Sequence, residues 1–317
     1  MHVARDAAAL NEYTVMSHVS ADDIIARNVE ALSAVTDMER AMEPAGEGPV
    51  PSVDALRDFI GHVRTVVFPD FFDRRRSCRS IRPAIIGVNI EKIYTILCRE
   101  IIYGFQFGRE TSCMAANERS SRLALAFIDQ LPQIKQTLYT DVQAMFDNDP
   151  AVDSYEEVVL SYPVIQAMIH YRVAHALLGL GIPAIPRILT ELAHSATGID
   201  INPGAEIGPY FAIDHGTGVV IGQTCVIGHH VTIYQGVTLG ARNFQYDDNG
   251  HPVNVPRHPV IEDHVTIYSN ASVLGRITVG ARSVIGGNVW LTNSVPPDSV
   301  ILQRRPVTSA FIDGLGI

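Results

Sequence analysis

What the chain is short of narrows its possible roles first. Basic residues are outnumbered, 24 Lys and Arg against 34 Asp and Glu. The resulting formal charge of -10 argues against nucleic acid as a main partner, because phosphate binding needs basic patches. No uninterrupted apolar run reaches about 18 residues, so no membrane-spanning helix is expected. The opening residues, MHVARDAAALNEYTVMSHVSADD, lack the apolar core of a signal peptide and carry acids, which disfavours a transit peptide. Only four cysteines occur, Cys78, Cys98, Cys113 and Cys225, and none has metal-ligand spacing. Reduced thiols in a cytoplasmic protein suit them, and no metal site is expected. The one locally basic stretch, Asp73 to Arg79, reads as a solvated loop between helices.

Against these absences stands one strong periodicity. Ile221, Ile227, Ile233 and Leu239 recur every sixth position, with the smaller residues Cys225, Val231 and Val237 between them. The same step returns at Ile261, Ile267, Val273, Val279, Ile285 and Leu291, with Val265, Ala271, Ile277, Ser283 and Val289 in the accompanying position. A helix repeats at 3.6 residues and a strand at 2, so a period of six fits neither. It fits a left-handed parallel β-helix, each triangular turn built from three hexapeptides with residues pointing inward. A parallel sheet with βαβ crossovers is disfavoured, because nothing helical separates the apolar runs. The phase slips by two residues between Ile213 and Ile221, and Asp214-His215-Gly216-Thr217-Gly218 occupies the slip.

The length favours two domains. The fold class expected is α+β, an all-α domain followed by the β-helix. Residues 1–197 make the helical part, with 1–20 loosely ordered and a helix start at Ser20-Ala21-Asp22-Asp23. Further helices are expected at about 53–68, 81–106, 116–147, 154–180 and 184–196, five or six in all, with Pro132, Pro163, Pro183 and Pro186 breaking or starting them. Glu43 to Pro51 reads as a linker. Residues 198–300 form the coil, and 301–317 a C-terminal tail. The hexad is lost over 241–258, where an Asn-Gly turn and two prolines predict a loop projecting from the coil, a common place for a site.

These residues resemble one family, the bacterial-type serine O-acetyltransferases. The resemblance runs from about Asp149 to about Val300. It is carried by Asp149-Pro150-Ala151, Asp200-Ile201-Asn202-Pro203, Asp214-His215-Gly216-Thr217-Gly218, Gln235-Gly236-Val237-Thr238-Leu239-Gly240 and Arg257-His258-Pro259. The hexad alone would indicate only the wider hexapeptide acyltransferases. The loop before Arg257 is longer than in enterobacterial members, and Gly240-Ala241 stands where Gly-Gly is usual.

A serine hydroxyl needs a base to attack a thioester, and histidine suits that task near neutrality. His215 is the residue selected. The resemblance implies Asp200 as its orienting partner, which the coil allows if positions 15 apart lie on neighbouring turns. It also implies Asp149 and Asp214 for the substrate ammonium. Arg257 offers a planar fork for the carboxylate, and His258 would hydrogen-bond substrate and the developing oxyanion. Taken alone, Asp149 also reads as a helix cap and Arg257-His258 as a solvated loop tip.

The further implications are acetyl-CoA as co-substrate with no permanently bound cofactor, and a coenzyme groove lined by Ala241, Ser269 and Gly287. Arg276, Arg282 or Arg304 would meet its phosphates. The substrate would be L-serine, and the assembly a homotrimer or a dimer of trimers with sites shared between neighbours. O-acetylserine sulfhydrylase would dock on C-terminal Ile317, although such a tail is also an ordinary chain end. Cys225 points inward and is not selected as a nucleophile. His229, His230, His258 and His264 do not have the spacing of the three-histidine metal sites in γ-class carbonic anhydrases, and His229-His230 are expected to cover a corner. Two rivals remain: an acyltransferase for a sugar or homoserine, and an inactive scaffold that docks a sulfhydrylase.

Overall fold

The computed structural model describes residues 20–43, 49–73, 80–107 and 113–303. It divides into two compact units, Met1–Ala45 and Gly46–Ile317. In the first unit, α1 (Ala21–Ser33) and α2 (Asp37–Met42) each begin with a reciprocal cap, Ser20 with Asp23 and Thr36 with Glu39. Neither buries a residue.

The second unit opens with α3 (Val53–Val67), α4 (Pro69–Phe72), α5 (Arg82–Phe107), α6 (Cys113–Asn148), α7 (Tyr155–Ser161), α8 (Pro163–Gly179) and α9 (Ile185–Thr197). Nine helices thus occur among the described residues, more than the five or six expected. The span read as one helix over 154–180 is two, because the Pro163 ring starts α8 after Tyr162 has closed α7 onto Val158. Pro132 was expected to break or start a helix, yet α6 runs through it. Leu131 and Ile134 on either side are buried, so the helix stays packed although the ring removes one backbone hydrogen bond. Gly198, at φ 72, ends α9 in the left-handed conformation that glycine adopts without strain.

Fourteen short strands follow among the described residues, and they stack into three parallel sheets, the faces of one coil. The first face is β1 (Asp200–Ile201), β4 (Val220–Ile221), β7 (Thr238–Gly240), β10 (Ser272–Leu274) and β13 (Trp290–Leu291). The second holds β2 (Glu206–Ile207), β5 (Val226–Ile227), β8 (Val260–Ile261) and β11 (Thr278–Val279). The third holds β3 (Ala212–Asp214), β6 (Thr232–Tyr234), β9 (Thr266–Ile267), β12 (Val284–Ile285) and β14 (Val300–Ile301). The hexad residues are its core: Ile221, Cys225, Ile227, Val231, Ile233, Val237 and Leu239 are all at most 3% exposed. Ser283, inward and fully buried, survives because its hydroxyl donates to Pro296 O and accepts from Ser299 N.

The phase slip has a structural counterpart. Asp200 pairs with Val220 and Ala212 with Thr232, a turn of 20 residues, whereas Val220 pairs with Thr238 and Val260 with Thr278, turns of 18. The two extra residues fall in the corner that contains His215.

The first turn would leave its outer carbonyls open, a liability of any solenoid end. Side chains of α8 close it. Tyr171 Oη donates to Ala205 O at 2.7 Å, His175 Nδ1 to Pro203 O at 2.9 Å, and Arg172 to the carbonyls of Ile207 and Gly208. Arg172 also grips Asp141 of α6 through two bonds of 3.1 Å, and Asp141 accepts from Phe211 N. Burial pushes the Asp141 carboxyl upward, against the pull of Arg172 and the Phe211 N–H.

Candidate active site

Each corner between faces forms an edge along the coil, and the selected residues fall on two of the three. The edge from third to first face carries His215-Gly216 after β3, Gln235-Gly236 after β6, Ser269-Asn270 after β9 and Gly287-Asn288 after β12. His215 (φ 57), Asn270 (φ 59) and Asn288 (φ 58) are left-handed here. Gly216 is required twice over, since its φ is 85 and a Cβ would meet the side chain of Ile199. That contact, with Gly218 N donating to Gly198 O at 2.9 Å, lays the His215 corner on the junction of α9 and β1.

The His215 side chain is 73% exposed, and its Nδ1 lies 3.8 Å from Asp214 Oδ1. Asp200 is held from the other side, 4.0 Å from Arg187, which pairs with Glu191. Among the described residues no ion pair within 4.0 Å joins Asp200 to His215; the two stand at the beginning and end of one turn. Glu191, His194 and Asp200 do bring one ligand atom each within 4.8 Å of one another, but Arg187 already supplies positive charge there.

Asp149 follows α6 and does not cap the next helix, whose cap is Ser154. Its Oδ1 accepts from Ala151 N at 2.8 Å and its Oδ2 from Tyr162 Oη at 2.6 Å. The Tyr162 bond, the Ala151 bond and the nearby His215 hold the carboxyl below its ordinary value. Tyr162 also feels Asp214, and Tyr234, stacked 5.0 Å from Tyr268, feels both Asp214 and Asp149. The structure therefore gathers Asp149, Asp214 and His215 with Tyr162 and Tyr234, two residues that sequence reasoning missed. Tyr162 directly precedes Pro163, which could have marked it as a fixed helix junction.

The edge from first to second face carries Gln223-Thr224 after β4, the 241–258 loop after β7, and Gly275-Arg276 after β10. The loop folds back through a Tyr246–Pro252 bridge with Gly250 (φ 79) in its turn. Thr224 pins its end, its Oγ1 accepting from Arg257 N at 2.9 Å and His258 N at 3.1 Å. The Arg257 guanidinium bonds Asn254 Oδ1 at 3.0 Å and Gln223 Oε1 at 3.1 Å, and its buried Nε has no partner. The His258 ring packs over Gly222, where any Cβ would overlap it.

His258 Nδ1 accepts from Thr224 N at 3.1 Å, so its proton sits on Nε2 in the neutral ring. Burial, then Arg257 and Arg276, push this imidazole down from 6.5 to about 4. It therefore acts as a neutral hydrogen-bond donor, unsuited to be a base. The sign for stability follows, because the unfolded ring binds a proton more readily than the folded one. This contribution is complete above pH 6.5 and is lost as pH falls toward about 4. Thermal melts across that window should show a midpoint decline that His258→Asn flattens; an unchanged decline in the variant would contradict the assignment.

Ser269 and Gly287 sit on adjoining turns of the His215 edge, with a Gly287 Cβ placed 3.2 Å from Ser269 O. Ala241 lies apart, on the Arg257 edge, so one chain does not unite the three residues expected to line the coenzyme. Arg276 is occupied by Thr224 O and His258 O, and Arg282 by both oxygens of Asp298. Arg276 uses only its Nη1 in these bonds, and Arg304 and Ile317 lie outside the described residues. Cys225 Sγ donates to Leu239 O, and burial pushes its thiol up to about 12, which rules it out as a nucleophile. The third edge holds the histidine cluster: His230 stacks 4.8 Å from His264 and 4.0 Å from Tyr210, and His229 Nε2 lies 2.9 Å from Asp263.

Comparison with known proteins bears on this arrangement. The bacterial transferase hexapeptide (six repeats) family matches residues 258–293. A plasmid serine acetyltransferase of Synechococcus elongatus is 45% identical over 276 residues, 85% of this chain and 86% of that protein. The chain belongs to the serine acetyltransferase family. Two solved members from Entamoeba histolytica share its architecture. Isoform 3, in complex with cysteine, superposes with a TM-score of 0.69 at 30% identity over 90% of this chain and 93% of that one. Serine acetyltransferase 1, in complex with L-cysteine, gives 0.68 at 34% over 80% and 87%. Membership accounts for the helical region followed by the β-helix. No helix among the described residues is long and apolar enough to cross a membrane.

Proposed function

We propose that the chain transfers the acetyl group of acetyl-CoA to the hydroxyl of L-serine, giving O-acetyl-L-serine and CoA, the entry to cysteine synthesis from serine. The observation that carries this is the division of charged groups between two edges. Asp149 and Asp214 offer anions for an ammonium on the His215 edge, and Arg257 offers a cation for a carboxylate on the other. A sugar would give neither a charged partner.

The two edges face outward from one chain, so the reading includes a homotrimer. In it the His215 edge of one copy meets the Arg257 edge of the next, bringing Ala241 opposite Ser269 and Gly287 to line the acetyl-CoA groove. Whether two trimers then pair is left to the helical part. In the reaction the serine hydroxyl attacks the thioester carbonyl while His215 takes its proton. Asp214 is beside the imidazole in the free chain, and Asp200 orients it once both substrates are bound. The His258 Nε2–H stabilises the oxyanion. Collapse breaks the carbon–sulfur bond, and His215 returns the proton to the departing thiolate. Cysteine, which differs from serine only in its sulfur, competes for the same pocket. The tail at Ile317 would dock a sulfhydrylase, and the protein would work in the cytoplasm.

The test is thiol release from acetyl-CoA with L-serine, L-homoserine and a galactoside as acceptors. Serine-dependent release is expected. Release with homoserine or the galactoside alone would move the chain to another acceptor, and none with any would favour a docking scaffold.

A further inference from the structure

Away from the coil, α3 and α8 leave a cleft of about 140 Å³ between them, lined chiefly by Arg57, Gly61, Arg64, Gln166 and His170. Its charges are mismatched. Arg57 pairs with Asp54, but Arg64 makes no ion pair among the described residues. Instead its guanidinium lies 4.2 Å from the centre of the Phe72 ring, and loss of solvent pushes its pKa down. Stacking on an aromatic face leaves the edge N–H donors of the fork unspent.

Opposite it, His170 is 7% exposed. Its Nδ1 donates to Gln166 O at 2.8 Å, which leaves Nε2 for the cleft. Burial and the Arg64 charge hold this ring below its ordinary value. Gly61 forms part of the floor, and a Cβ there would meet nothing within 4 Å. A mid-helix glycine weakens a helix relative to alanine, so this one costs stability and keeps the floor bare.

We propose that the cleft between α3 and α8 is a binding site for a small oxyanion, held by the Arg64 fork over the open floor at Gly61. His170 Nε2, a bare acceptor while Nδ1 carries the proton of the neutral ring, adds a donor only when the ring is protonated. Guanidinium donors match oxyanions, and the volume suits a phosphate, a sulfate or a short carboxylate. Nucleotide-sized ligands are excluded, since sites for larger molecules run to roughly 300 Å³ and above. The groups facing the anion are Arg57, Arg64 and His170, with Asp54 on Arg57; binding therefore tightens toward acid as His170 takes a proton. None of the active-site residues takes part, so this site and the catalytic reading stand or fall separately.

The full chain is melted in rising inorganic phosphate, sulfate or acetate, with ionic strength held constant by chloride and saturating CoA present throughout. Saturable stabilisation of the wild type by at least one of the three is expected, and which one identifies the ligand class. Arg64→Gln should weaken that midpoint concentration by about 10-fold, the equivalent of one charge-assisted contact. Gly61→Leu should abolish the effect without lowering the melting temperature in chloride. No saturable effect in the wild type, or one of equal size in Arg64→Gln, overturns the proposal.

Discussion

Alanine at position 215 is expected to lower the turnover number for serine-dependent acetyl transfer by about 10²–10⁴-fold, the usual worth of a general base. Packing cannot explain such a loss, because the side chain is 73% exposed. Nor can the corner itself, provided a second variant preserves it. His215→Asn keeps a residue that tolerates the left-handed backbone at φ 57, and it should be equally inactive. The effect should fall on the turnover number and leave the KM for serine nearly unchanged, because proton removal is needed only in the transition state. A large rise in KM with turnover preserved would instead make His215 a binding residue.

The second large effect concerns stability. Arg172→Met should destabilise the protein by about 3–5 kcal/mol in denaturant titration, since it leaves the Asp141 carboxylate buried without its partner. It also strips the donors from Ile207 O and Gly208 O at the open end of the coil. Replacing both residues, as Asp141→Leu with Arg172→Met, should recover part of the loss because no unpaired charge remains. If the single variant were as stable as the wild type, the helical clamp on the first turn would not be what closes the coil. Serine turnover should fall with the single variant, because Asp200 and Asp214 stand on the turn that the clamp secures.

The coil was legible because its period is unusual: each hexad aliphatic had one place to go, and the structure buries it. The slip at Asp214–Gly218 was legible for the same reason, as two residues too many for one turn. Helix ends were less so. Pro163 divides a helix while Pro132 does not, although buried residues flank both, Val164 and Ile165 no less than Leu131 and Ile134. The site was half legible. Motifs single out Asp149, Asp214 and His215, which the structure brings together, but Tyr162 belongs to no motif and joins them through the α7–α8 junction. Asp200 illustrates the remaining gap. A spacing of 15 residues suggested adjacent turns, whereas the first turn takes 20, and the Asp200 side chain lies beside Arg187 with no ion pair to His215 within 4.0 Å among the described residues.

The most direct test of the account is complementation between two disabled chains, His215→Ala and Arg257→Ala, each lacking one edge. Co-expressed and purified as mixed assemblies, they are assayed for serine-dependent thiol release from acetyl-CoA. A site built from the His215 edge of one copy and the Arg257 edge of the next predicts activity of about a third of wild type, because in any trimer containing both variants one interface of the three pairs two intact edges. Mixed assemblies no more active than the separate variants would contradict it.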